Sequence, residues 1–253
     1  LKNNGRMENI EKQLEKLQPT KLVYIVENEG YKKCSKNLPE QTPSTDLVDG
    51  YFQIFNHAKK ENYNNILILE DDFIWNDKMI DPEIGKDICT FVNAQDSTFI
   101  YYLGCIPFLR MNMGYNHVRT FLQMAAHSVI YSKKIRQQIL ENGNKMEIKD
   151  WDVNLVLFER PVAYCYKSPL CYQTFPSTEN QKNWPNMGGL KQIQLFFIKI
   201  LKLDKQPSPG FEFFYMASDI LCYLLLLLVI FYLYKISQSK VIKKIFRYKI
   251  LKK

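Results

Sequence analysis

The sequence predicts an α/β domain built around a largely parallel sheet, followed by one helix long enough to cross a membrane. Three observations carry this expectation. Segments with helical spacing alternate with short β-branched and aromatic runs through the body of the chain, joined by short connections. The run Ile66–Leu69 (ILIL) is apolar at successive positions, as a strand covered on both faces is. Phe213–Tyr234 is a long apolar run whose only charge is Asp219.

Taken in order, Met7, Ile10, Leu14 and Leu17 recur at helical spacing, and Pro19 follows as a stop. Lys21–Val26 (KLVYIV) has the composition of a strand. A Pro/Ser/Thr loop then leads to a helix capped by Ser44 or Thr45, with Leu47, Tyr51, Ile54, Phe55 and Ala58 on its apolar face. NYNN turns the chain into ILIL. Beyond Pro82, Ile84, Ile88 and Phe91 mark another helix, and Ser97–Gly104 (STFIYYLG) another strand. Phe121–Ser132 reads as a strand, with Ser132 capping a helix that ends at Gly143. A short helix begins near Asp150, and Val162–Tyr166 (VAYCY) closes the sheet. This organisation predicts a domain over residues 1–186, a membrane-proximal amphipathic segment and linker over 187–210, a transmembrane helix over 211–234 and a basic tail over 235–253.

The composition is that of a globular chain: 46% hydrophobic and 24% charged over 253 residues. Its net charge of +8 suggests nucleic acid until it is located. From Lys235 onward the chain carries eight Lys and Arg and no acid, so the tail holds the whole excess and residues 1–234 are formally neutral. A neutral body lacks the basic field of a nucleic-acid binder. Six scattered cysteines form no CxxC pair, which removes zinc-ribbon spacing and favours buried thiols.

Phe213–Tyr234 is long enough to span a hydrocarbon core, and Tyr and Phe gather at both of its ends. The basic tail beyond it suits anionic headgroups. Ahead of it, Gly188–Lys205 mixes lysines with Leu, Ile and Phe, suiting either a helix on the bilayer surface or a last core helix. These features predict a single-pass membrane protein. No Asn-X-Ser/Thr acceptor occurs, and the side on which the body lies stays open.

The functional question centres on Glu70, Asp71 and Asp72, which follow ILIL directly. Adjacent carboxylates raise the cost of each other's ionisation, which a cation or exposure to water relieves. In open α/β sheets, ligands bind at the carboxyl ends of the strands. An acidic cluster there can hold Mg²⁺ or Mn²⁺ and so neutralise a substrate diphosphate. No GxGxxG or P-loop competes for that role.

The apolar strand followed by EDD, the helix TDLVDGYFQIFNHAKK before it and the early RMENIEKQL resemble glycosyltransferase family 25, which includes lipooligosaccharide and procollagen galactosyltransferases. The likeness extends through AAHSVIYSKKIRQQIL, EIKDWDVNL and PLCYQTFPSTENQKNW, covering residues 5–184 diffusely. It implies a GT-A-type, Rossmann-like domain using a nucleotide-sugar donor, with UDP the expected nucleotide, and a glycan, lipid or protein hydroxyl as acceptor. Carried over, Asp72 and Glu70 become the metal and diphosphate residues, with Asp71 supporting them or contacting the ribose. Asp152 or Asp150 becomes the base or the acceptor-positioning carboxylate. Two departures stand out. The family's first strand and its Asn-Leu-x-Arg-like turn would lie upstream of Leu1, and the family's Ser-His motif is replaced by DLVDGYFQIFNHAKK.

Asp150 and Asp152 flank Trp151, so on a helix only one of them faces a given crevice. One can deprotonate an acceptor while the other caps. Gln173, Ser177 and Trp184 fall in a polar, aromatic loop suited to lining a sugar pocket. His127 lies in a strand-like run as a packing residue, and no Ser/His/Asp order suggests a nucleophilic triad. Two other readings compete with a hexosyltransferase. A silent, tethered relative would keep its biological role without Asp72, and a metal-dependent phosphohydrolase would release phosphate with no acceptor present.

Overall fold

A computed structural model describes residues 5–175 and 190–238. Helix α1 (Arg6–Lys16) and helix α2 (Pro43–Lys60) precede strand β1 (Asn65–Leu69). Strand β2 (Phe73–Trp75), a 3-10 turn at Asp77–Ile80 and helix α3 (Pro82–Asn93) follow. Strands β3 (Phe99–Met111) and β4 (His117–Ser132) form a long hairpin leading into helix α4 (Lys133–Asn142). One turn of helix, α5 (Trp151–Val153), widens into a π-helical stretch at Asn154–Glu159, then come β5 (Val162–Tyr166) and β6 (Cys171–Gln173). Helices α6 (Leu190–Ile200) and α7 (Gly210–Gln238) complete the described chain.

The main sheet has the order β1-β4-β3-β5 and is mixed, not largely parallel. Only β3 and β5 run parallel, whereas β1–β4, β3–β4 and β4–β5 are antiparallel. The reason lies in Asn112–Asn116, a short loop with Gly114 at φ 86°. A loop this short reverses the chain and imposes antiparallel pairing, whereas a parallel partner needs a long crossover. β1 is correspondingly an edge strand, paired with β4 alone among the described residues. Although it is not a central parallel strand, its apolar run has the expected cause, cover on both faces. Ile66 and Ile68 face a core with Tyr51 and Phe55 of α2 and Ile135 of α4, while Leu67 and Leu69 face a second core with Ile88 and Val92 of α3. Helices cover both faces, so both faces are apolar.

The strand expected at Lys21–Val26 does not form. The segment is extended but unpaired, with Leu22 62% exposed. β-propensity reports packing on a pleated surface, and no neighbouring strand supplies a ladder here. The α2 cap also moves: Thr42 is the N-cap, in a capping box with Thr45, and Pro43 opens the helix. Ser132 caps α4 as its sequence position predicts, accepting from the Ile135 amide.

β3 continues well past Gly104, where the expected strand ended. A Cβ at Gly104 would sit 1.7 Å from the Cys171 carbonyl oxygen, so only glycine lets β6 cross here. Gly104→Ala is expected to cost about 3 kcal/mol, at the upper end for overpacking, and thermal unfolding in detergent checks it.

The segment before α7 is packed. Ile198 of α6 and Leu203 join Tyr172 and Phe211 in a small core, while Phe196 and Ile200 stay exposed. Helix α7 is the one described helix long and apolar enough to cross a membrane.

Candidate functional site

The Glu70 amide donates to the His127 carbonyl at 2.8 Å, extending the β1–β4 ladder by one bond. The chain then turns, the Phe73 amide reaching back to the Glu70 carbonyl at 3.2 Å. This tight turn sends three consecutive carboxylates to different places. Asp71 points outward, both of its carboxylate oxygens accepting from Nη1 of Arg6 in α1. Asp72 points inward and is 9% exposed. Its carboxylate accepts from Gln173 Nε2 at 3.1 and 3.3 Å, because β2 and β6 pair with Phe73 opposite Gln173.

Glu70 meets α2, where the Tyr51 hydroxyl donates to its Oε1 at 2.9 Å. The same hydroxyl lies 3.2 Å from the Ala126 carbonyl, and the Tyr51 ring stacks on Trp151 at 4.2 Å. Trp151 is in turn held by its Nε1 on the Tyr131 hydroxyl, at 2.9 Å. Asp152 follows Trp151 and completes the cluster. Its Oδ2 accepts from the Ala125 amide at 3.0 Å. Ala125 sits at φ 71°, inside an irregular stretch of β4 whose pairing with β3 skips from Met124 to Ser128. A non-glycine residue in the left-handed region is strained, and here the strain turns a backbone donor toward a carboxylate.

The electrostatics follow from this geometry. Burial, with Asp72 and Asp152 nearby, pushes the Glu70 carboxyl up to about 8 despite the Tyr51 hydrogen bond. Burial and the Asp71 charge push Asp72 up to about 7, with Gln173 and Arg6 opposing. Asp152 is pushed up to about 6 by burial and Asp150, opposed by the Ala125 and Ala126 amides. Glu70 is therefore a poorly solvated carboxyl with Asp72 on one side and Asp152, from a segment far off in sequence, on the other.

Asp150 stands outside the cluster: exposed, it caps α5 by accepting from the Val153 amide at 3.0 Å. Of the two acids flanking Trp151, only Asp152 acts on Glu70. Gln173 reaches the site, but as a donor to Asp72. Ser177 and Trp184 lie outside the described residues. His127 is buried with Nε2 3.3 Å from the Cys171 carbonyl, and burial lowers its pKa to about 4, which keeps it neutral. All six cysteines are free.

Among the described residues no three His, Cys, Asp or Glu side chains converge as a metal cage. The donor set is a pair, Glu70 and Asp72, all oxygen and electrostatically strained. Mg²⁺ and Mn²⁺ are commonly held by one or two carboxylates with phosphates and water completing the shell, and Glu70 and Asp72 are the residues of that donor chemistry here.

Tyr51 and Arg6 escape a reading of the sequence alone. Tyr51 has one faint signal, a hydroxyl placed on the apolar face of a helix, where it needs a partner. Arg6 has none. Neither the family models nor the curated proteins contain a match to this chain.

Proposed function

We propose that this chain is a membrane-anchored hexosyltransferase, moving a sugar from a nucleotide diphosphate donor, expected to be a UDP-sugar, to a hydroxyl acceptor. The reading rests on one observation above others: Glu70, at the end of an apolar strand, is poorly solvated and lies within electrostatic reach of two further carboxylates, Asp72 beside it and Asp152 from a distant segment. Asp72 and Glu70 would hold Mn²⁺ or Mg²⁺ together with the donor diphosphate, and Asp71 would support that edge of the site. The cation would supply charge neutralisation to the departing diphosphate. Asp152 receives the proton of the acceptor hydroxyl at Oδ1 or Oδ2 as that oxygen bonds to the anomeric carbon and the bond to the diphosphate breaks. A carboxyl near pH 6 is ionised at neutral pH yet basic enough to share a proton in the transition state. Tyr51 fixes Glu70, and Gln173 fixes Asp72. Arg6, paired with Asp71 at the rim, adds positive charge where a diphosphate approaches. The α7 helix would anchor the enzyme beside a membrane-borne acceptor.

Manganese binding tests the reading. Free Mn²⁺ followed by electron paramagnetic resonance is expected to fall on adding protein and UDP together, and the Asp72→Asn variant is expected to abolish the uptake. No uptake at millimolar Mn²⁺ with UDP would overturn it.

A second reading has its own support. Asp152 and all three carboxylates of the turn already have an internal donor: Tyr51 on Glu70, Arg6 on Asp71, Gln173 on Asp72 and Ala125 on Asp152. Such a satisfied set also suits a catalytically silent relative that binds glycans or a partner protein.

A further inference from the structure

We propose that the tip of the β3–β4 hairpin, Asn112–Asn116, is a second membrane contact, with Met113 and Tyr115 entering the bilayer beside α7. The inference rests on α7 spanning a membrane. Helix α7 does not stand clear of the domain. It runs along β3 in the same direction, with Cys105 Sγ 3.7 Å from the Tyr215 hydroxyl. Further along, Arg110 makes a two-pronged ion pair with Asp219 at 2.6 and 2.7 Å. Asn112 Nδ2 donates to Asp219 at 3.2 Å, and the Tyr223 hydroxyl reaches the Asn112 carbonyl. The hairpin tip therefore lies level with Tyr223.

Length makes this position consequential. From Tyr223 onward every described residue of α7 is exposed, and 12 of these residues, Tyr223–Tyr234, precede the charge at Lys235. At about 1.5 Å per residue they span about 18 Å, against a hydrocarbon core of about 30 Å. The missing depth, about eight residues at that rise, reaches back to about Tyr215. The domain-facing side of that stretch is buried through Tyr215, Ser218 and Cys222, whereas Met216, Ile220 and Leu221 on its outward side are exposed and apolar. A bilayer deep enough for α7 thus covers the level of residues 215–222, and whatever stands beside them is at membrane depth.

The chemistry of the neighbours agrees. Arg110 is 2% exposed and its charge is matched by Asp219, so the one acid within the apolar run is neutralised by the domain itself. The tip has no charged residue, and Met113 and Tyr115 are each 70% exposed. Lys167, whose amide bonds the Asn116 carbonyl at 2.7 Å, is exposed, and its long side chain can carry its charge from that depth toward the headgroup phosphates, while Asp87 is held by the Asn116 side-chain amide at 2.9 Å. An uncharged tip with two large exposed side chains, Met113 and Tyr115, and a lysine that can reach the headgroups suits an interfacial membrane contact.

The test uses the full chain in phosphatidylcholine vesicles, with Cys34→Ser and Cys89→Ser removing the more accessible thiols. Single probes go on Tyr115→Cys, on Leu228→Cys in the exposed part of α7, and on Lys60→Cys at the far end of α2. An environment-sensitive fluorophore at each is read with and without lipid-borne nitroxide quencher. Expected is a loss of fluorescence at 115 and 228 and none at 60. Quenching at 228 with a water-exposed probe at 115 overturns the hairpin contact and leaves the anchor intact. Failure of quenching at 228 itself removes the anchor, and the hairpin contact with it.

Discussion

Asp72→Asn is expected to lower sugar transfer by about a hundred- to a thousand-fold, the usual cost of removing one element of electrostatic stabilisation at a reacting centre. The same substitution is expected to leave the folded protein no less stable. Asp72 is buried and its carboxyl is raised to about 7, so the fold holds an acid where it disfavours the charge. The Gln173 side-chain amide still finds a carbonyl oxygen to bond on the substituted side chain. Activity and stability thus respond separately, as they do where a site is maintained against the interest of the fold.

The pH dependence of stability carries the sign of these shifts. Glu70, near 8 when folded, keeps its proton between pH 4.5 and 8 while the unfolded chain has released it. The native state then binds more protons than the unfolded one, so stability falls as pH rises through that window, by up to about 1.4 kcal/mol per unit, and levels off above pH 8. His127, near 4, acts oppositely between pH 4 and 6.5, where the unfolded chain takes up the proton first and stability rises with pH. Above pH 6.5 only the carboxylates remain. The metal-free protein is expected to unfold at lower denaturant at pH 8 than at pH 6.5, and Glu70→Gln to flatten the difference. Equal midpoints at both pH values would mean that the cluster is solvated.

Asp219→Ala is expected to be the most damaging single change outside the site. It leaves the Arg110 guanidinium buried without its acid, which costs about 3–5 kcal/mol when one partner of such a pair is removed. Arg110 also lies 4.3 Å from the centre of the Tyr215 ring and donates to the Tyr166 and Lys167 carbonyls, so it cannot swing out to water without releasing α7 from β3. The double variant Arg110→Met with Asp219→Leu removes both charges and is expected to recover most of the loss. Denaturant unfolding in detergent reads both; a single variant as stable as the double would show that α7 does not depend on the pair.

How much of this was legible in the sequence depends on how local each signal is. Helices α1, α3 and α4 rest on spacing and stop residues within their own length, and the structure has them where those signals lie. The acid-rich turn was legible for the same reason: ILIL and EDD adjoin. Pairing direction is not local. Alternating helices and strands fit a parallel sheet or a mixed one, and only the five-residue loop around Gly114 separates the two. Lys21–Val26 shows the converse, a strand-like composition without a partner to pair with. At the site, Asp152 was legible only as one of two acids beside Trp151; the choice required knowing that Asp150 would be taken up by a cap. Tyr51 and Arg6 reach the acidic turn across 19 and 65 positions, contacts that no window along the chain contains.

The most direct test of the account is donor hydrolysis by the full chain in detergent, screened over UDP- and GDP-hexoses with Mn²⁺ and then with chelator. Sugar release from a UDP-hexose is expected, lost with chelator and with Asp72→Asn, and reduced with Asp152→Asn once an acceptor is supplied. Absence of release from every donor, together with no nucleotide binding in Mn²⁺, would contradict it and leave the acidic turn a structural feature of a tethered binding protein.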